Sequence, residues 1–118
     1  MKPVVARFEP APAAGMQPSA FTPTEAFTTD NKTEINHYYH ASEDESTLAG
    51  VWECAPCREV FDAYPVNEMM TVIAGSVTVS SEGKTETFTA GDTFFIAKGT
   101  PCTWEITQTL RKYYFIAS

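Results

Sequence analysis

The sequence predicts an all-β fold, a sandwich or small barrel, and three observations carry that expectation. From Thr47 onward, apolar and polar residues alternate with the two-residue period of strands. Turn-forming phrases separate these runs at regular intervals: Ser81-Glu82-Gly83-Lys84, Ala90-Gly91-Asp92 and Lys98-Gly99-Thr100-Pro101. No stretch of useful length carries the 3.6-residue period of an amphipathic helix. Many short strands punctuated by turns close into a sandwich or a barrel.

Residues 1–34 read as an extended N-terminal arm. They hold prolines 3, 10, 12, 18 and 23, and proline removes backbone donors and favours extended chain. Such an arm is either mobile or laid over a surface, its own or a partner subunit's. Phe8, Phe21 and Phe27 suggest that part of it docks. Residues 35–118 form the barrel. An edge strand is expected over 33–40, and Glu43-Asp44-Glu45 is a solvated acidic turn.

Further strands follow at 48–54, 58–64 (ended by Pro65), 69–80, 84–89, 93–97, 102–107 and 110–117. Gly75, in the middle of the longest run, marks a bulge or sharp bend. In the first of these strands Trp52 and Cys54 share one face, Val51 and Glu53 the other.

Composition narrows the function. A net charge of −7 argues against nucleic acid or anionic lipid as the main partner. No apolar run approaches the roughly 20 residues of a membrane span, and the N-terminus has no secretion-signal core. A cytoplasmic location is expected. Three cysteines, an odd count, fit reduced thiols better than a disulfide framework. Cys54-Ala55-Pro56-Cys57 spells a C-x-x-C, but it lies between two strands rather than at a helix N-terminus. It therefore reads as two cysteines near a strand turn. His37 and His40 point to opposite sides of a strand, which argues against a joint metal role.

Two spaced motifs now carry a resemblance. Glu68 and Gly75 have the spacing that ends a first cupin motif; Gly91, Ala97, Gly99 and Cys102 have that of the second. Together with Gly50-Val51-Trp52, Pro56, Tyr64-Pro65, Thr103-Trp104-Glu105 and Arg111-Lys112, residues 47–116 resemble the cupin-3 group. That group includes the ethanolamine-utilisation protein Q and relatives of ureidoglycine aminohydrolase. The resemblance implies a single-domain double-stranded β-helix, or jelly-roll barrel, and a homodimer. A metal-binding cupin presents three histidines and a glutamate. Here those positions hold Asp62, Tyr64, Glu68 and Cys102, with no histidine among them. Such a mixed set suits no single cation, so no metal cofactor is expected. Were a divalent metal present, Tyr64, Glu68 and Cys102 would be its ligands.

By strand alternation Asp62 and Tyr64 face the interior, and Cys102 and Trp104 line the strand opposite. Trp52, Tyr64 and Trp104 would then wall a pocket in which burial raises the pKa of Glu68. Lys112 supplies a positive charge that orients an anionic ligand, if it and not Arg111 faces inward. The ligand-binding candidates are thus Trp52, Asp62, Tyr64, Glu68, Cys102, Trp104 and Lys112. Two readings follow: a barrel that binds a small polar metabolite, or a small enzyme acting on a carbon–nitrogen or sugar-like substrate. In the second, Glu68 and Tyr64 form an acid–base pair or share an atypical metal. The same aromatic residues could instead simply fill a narrow barrel.

Overall fold

Two long antiparallel strands organise the fold, and each takes two further strands along its outer edge. The computed structural model describes residues 5–118. Its strands are β1 (Gln17–Pro18), β2 (Glu34–Ala41), β3 (Thr47–Cys54), β4 (Cys57–Phe61), β5 (Asn67–Ser81), β6 (Lys84–Thr89), β7 (Thr93–Ile96) and β8 (Cys102–Ala117). A 3₁₀ turn, Thr24–Ala26, interrupts the arm. β5 pairs with β8 along most of its length. On its other edge β5 takes β7 over residues 68–71 and β6 over residues 76–81. β8 likewise takes β4 over residues 102–106 and β3 over residues 110–117. The order β1-β2-β3-β8-β5-β6, with β4 added on β8 and β7 on β5, folds over an interior as a jelly-roll barrel.

Where the long strands bend, their pairing is irregular, with extra residues on both β5 and β8. The register of β5 against β8 shifts between Val72 and Val77. Gly75, at φ 79°, lies there with its backbone against β8. A Cβ at Gly75 would sit 2.0 Å from the Thr109 carbonyl oxygen, so only glycine fits. β8 nevertheless runs unbroken from Cys102 to Ala117, where two separate strands were expected, although it too carries extra residues across this irregular segment. The 81–84 hairpin turns with both central residues at positive φ, Glu82 at 50° and Gly83 at 80°, as the twist of the flanking strands favours.

The strand expected over 58–64 is shorter and shifted. β4 ends at Phe61, and Asp62-Ala63 turn the chain away. Tyr64 is fixed instead by the next turn: its N–H donates to the Thr100 carbonyl at 2.9 Å, and Gly99 N–H donates to its own carbonyl at 2.8 Å.

Directly paired residues share a sheet face, so the register fixes which side chains point inward. Glu34–Cys54, Asn36–Trp52 and Tyr38–Gly50 are pairs of β2 and β3. Trp52–Lys112 and Gly50–Tyr114 continue the row into β8. Cys57–Ile106, Glu59–Trp104 and Phe61–Cys102 make a further row of pairs between β4 and β8. Lys112 therefore faces inward, while Arg111 lies on the other face and bonds Glu53 at 3.0 Å.

The described part of the arm lies over its own barrel. β1 pairs with β2, and Phe8 stacks on Tyr39 at 4.6 Å and meets Tyr113 edge-on at 5.6 Å. Arg111 donates to the Pro10 carbonyl, and Thr28 N–H donates to that of Pro56. The first four residues of the arm, Pro3 among them, lie outside the described residues. Among the described residues no helix is long and apolar enough to cross a membrane.

Candidate functional site

Inside the barrel lies a cavity of about 310 Å³ with a mouth to solvent. That is near the lower end of the roughly 300–1,000 Å³ typical of small-ligand pockets. Trp52 enters from β3 and Trp104 from β8, their ring centroids 6.5 Å apart. Lys112 sits between them, its Nζ 4.9 Å from the Trp52 ring centroid and 4.8 Å from that of Trp104. The ammonium donates to Glu68 Oε2 at 2.7 Å and lies 2.9 Å from the Met70 sulfur. Lys112 and Glu68 are only 4% and 5% exposed, so this is a desolvated ion pair inside an aromatic clamp.

Glu68 stands near the start of β5 and pairs with Ile116 and Ile96. Its Oε1 accepts from the Tyr64 hydroxyl at 2.6 Å. Burial, and then the Glu68 charge beside it, pushes the Tyr64 hydroxyl far above its ordinary range, so the phenol keeps its proton. The wall is thus a chain of three groups, Tyr64–Glu68–Lys112, with both oxygens of the carboxylate engaged. Higher up, the Tyr114 hydroxyl donates to Asn36 Oδ1 at 2.7 Å, and burial raises its pKa as well.

A second carboxylate closes the site from behind. Glu34 accepts from Trp52 Nε1 at 3.1 Å, Phe21 N–H at 3.0 Å, Thr22 N–H at 2.8 Å and the Ser19 hydroxyl. Burial alone would raise its pKa, but these four donors outweigh burial and hold it below the ordinary value. One side chain therefore aims the Trp52 indole and pins the arm, which lends Phe21 and Thr22 to the cavity wall.

Of the seven candidates from the sequence, five line the cavity: Trp52, Tyr64, Glu68, Trp104 and Lys112. Asp62 does not. β4 has already ended at Phe61, so strand alternation no longer holds at Asp62, and the side chain is exposed. Cys102 also lies off the cavity wall, buried in the core beside Phe61 with its thiol pKa raised by burial. Lys112 does not offer a free charge to an anion, because Glu68 already neutralises it. The sequence reading overlooked Glu59, Asn36 and Tyr114. Glu59 had a usable signal: it shares strand parity with Cys57 and Phe61, which face inward.

The donor set does not suit a divalent metal. An ammonium occupies the place a cation would take at Glu68, Tyr64 is a protonated donor, and Cys102 is off the cavity. Among the described residues no three His, Cys, Asp or Glu side chains form a group that could hold a metal ion. His37 packs against Tyr39 at 4.7 Å, and His40 bonds the Thr47 hydroxyl at 3.1 Å. Cys54 and Cys57 are buried free thiols at the junction of β3 and β4.

Comparison with known proteins fits this architecture. A protein of unknown function of the DUF861 family from Pseudomonas syringae pv. tomato superposes with a TM-score of 0.80 at 26% identity. It is matched over 93% of this chain, which spans 46% of that protein's length. A putative ethanolamine utilization protein Q from Salmonella typhimurium shares the fold at TM-score 0.61 and 23% identity, over 72% of this chain and 69% of that one. The EutQ protein of Clostridium difficile does so at 0.60 and 17%, over 84% and 80%. No curated protein matches the sequence. The model of the EutQ-like cupin domain matches residues 41–114, well over half of the chain. The chain belongs to the EutQ-like cupin family.

Proposed function

We propose that the barrel binds a small polar metabolite in the cavity between Trp52 and Trp104, without a histidine-based metal site. One observation carries this reading: a largely apolar cavity of about 310 Å³ whose few polar groups converge on it from different strands. A barrel with a plain core would fill that space with side chains. Glu68, Tyr64 and Lys112 hold one another rigidly, so the wall is preorganised before a ligand arrives.

The 2.6 Å contact between Tyr64 and Glu68 favours a second reading, an acid–base pair in a small cupin enzyme. Two features weigh against it. The Tyr64 proton is held too tightly to leave near neutral pH, and the Glu68 carboxylate is already matched by an ammonium. Turnover of a carbon–nitrogen or sugar-like substrate with a bell-shaped pH profile, abolished in Glu68→Gln, would establish the enzyme.

The test of the metal-free reading is elemental analysis of tag-free protein. Well under one equivalent of transition metal, unchanged in Glu68→Gln and Cys102→Ser, supports it. A full equivalent lost in those variants overturns it.

A further inference from the structure

The wall of the cavity is not electrically balanced. Among the described residues that line it, the one ammonium, Lys112, is neutralised by Glu68 at 2.7 Å. Behind Trp52, Glu34 is saturated by four donors. Glu59 is left over. It lies on the inner face of β4, directly opposite Trp104 and two residues from Phe61, and lines the cavity together with both. Among the described residues no hydrogen bond or ion pair meets it. Burial, followed by the nearby charges of Glu34 and Glu25, pushes its pKa up. The carboxylate is half-buried with its oxygens still reaching solvent, so it is free to take a partner that enters the cavity. The surrounding ring faces prefer a positive partner.

We propose that the cavity selects a small organic cation, a protonated amine whose nitrogen is held by Glu59 and whose carbon body rests against Phe61 and Trp104. The inference builds on the binding reading above and gives the ligand its charge. An anionic ligand would meet two carboxylates and find Lys112 already taken.

Both tryptophans of the chain line the cavity, so tryptophan emission reports on this site alone. Wild-type protein is titrated at constant ionic strength and neutral pH with benzylammonium, benzyl alcohol and benzoate, which share a ring and differ in charge. Indole N–H shifts are followed in parallel by NMR. Benzylammonium should bind most tightly. Glu59→Gln should weaken it about tenfold to a hundredfold, as expected for loss of a charged hydrogen bond, while benzyl alcohol is little affected. Glu59→Lys should move the preference to benzoate, and this reversal still decides the matter if the glutamine variant is poorly folded. Benzyl alcohol or benzoate binding wild type as tightly as benzylammonium would overturn the cation while leaving the binding site intact. No response to any of the three would count against both.

Discussion

Replacing Lys112 by methionine separates a structural ion pair from a solvated one. In the native barrel the ammonium and the Glu68 carboxylate meet at 2.7 Å with side chains 5% and 6% exposed. Lys112→Met leaves that carboxylate buried with Tyr64 as its remaining donor, a loss of about 3–5 kcal/mol for a broken buried pair. Unfolding entropy of about 2.1 cal/mol/K per residue over 118 residues makes 1 kcal/mol worth about 4 °C. The variant should therefore melt about 12–20 °C lower. Adding Glu68→Gln removes the stranded charge yet keeps an acceptor for the Tyr64 hydroxyl. The double variant should recover much of the loss, giving a coupling above about 1 kcal/mol. Urea denaturation of the four proteins, read by tryptophan emission, supplies the cycle. A single-variant cost under about 1 kcal/mol, or costs that simply add, would refute the claim that these groups form one desolvated unit.

Three other outcomes are expected. Glu34→Gln should cost about 1–3 kcal/mol at neutral pH and make the arm easier for protease to cut. Its native pKa is lowered, so its contribution is present above the ordinary 4.5 and is lost as pH falls through the depressed value; the stability gap to Glu34→Gln should close on acidification below that range. Gly75→Ala should cost at least about 2 kcal/mol in a urea titration, from the positive φ and the Thr109 carbonyl in its way. The homodimer implied by cupin resemblance has a candidate face in Phe95, Met69 and Phe115, which lie side by side across β7, β5 and β8, 58%, 50% and 44% exposed. Light scattering should find a dimer at micromolar concentration and a monomer in Met69→Glu; a monomeric wild type would contradict it.

Much of the fold was legible because strand period and turn chemistry are local properties. Glu82-Gly83 announces its turn, and Gly75 announces the bend in β5, though not that β8 would run unbroken past it. The site was legible where alternation held, at Trp52 and Trp104; that Lys112 and not Arg111 turns inward is set by the register of β8 against β3, which no local pattern records. Alternation failed at Asp62, where β4 ends early because Tyr64 bonds the 98–101 turn instead of a neighbouring strand. No local pattern records that long-range choice. Nor does the sequence reveal that Lys112 is spent on Glu68, 44 residues away, or that Glu34 reaches back to seat the arm. Glu59 was readable from its parity with Phe61, but an inward carboxylate is recognised only once its lack of a partner is visible.

The most direct test of the account follows tryptophan emission while a library of small metabolites is added to wild-type protein and to Trp104→Leu. The account predicts that at least one compound saturably shifts the emission and raises the melting temperature of wild type, and that the variant loses both responses. A library that leaves emission and melting temperature of wild type unchanged, or compounds that stabilise both proteins equally, would contradict a binding site between Trp52 and Trp104.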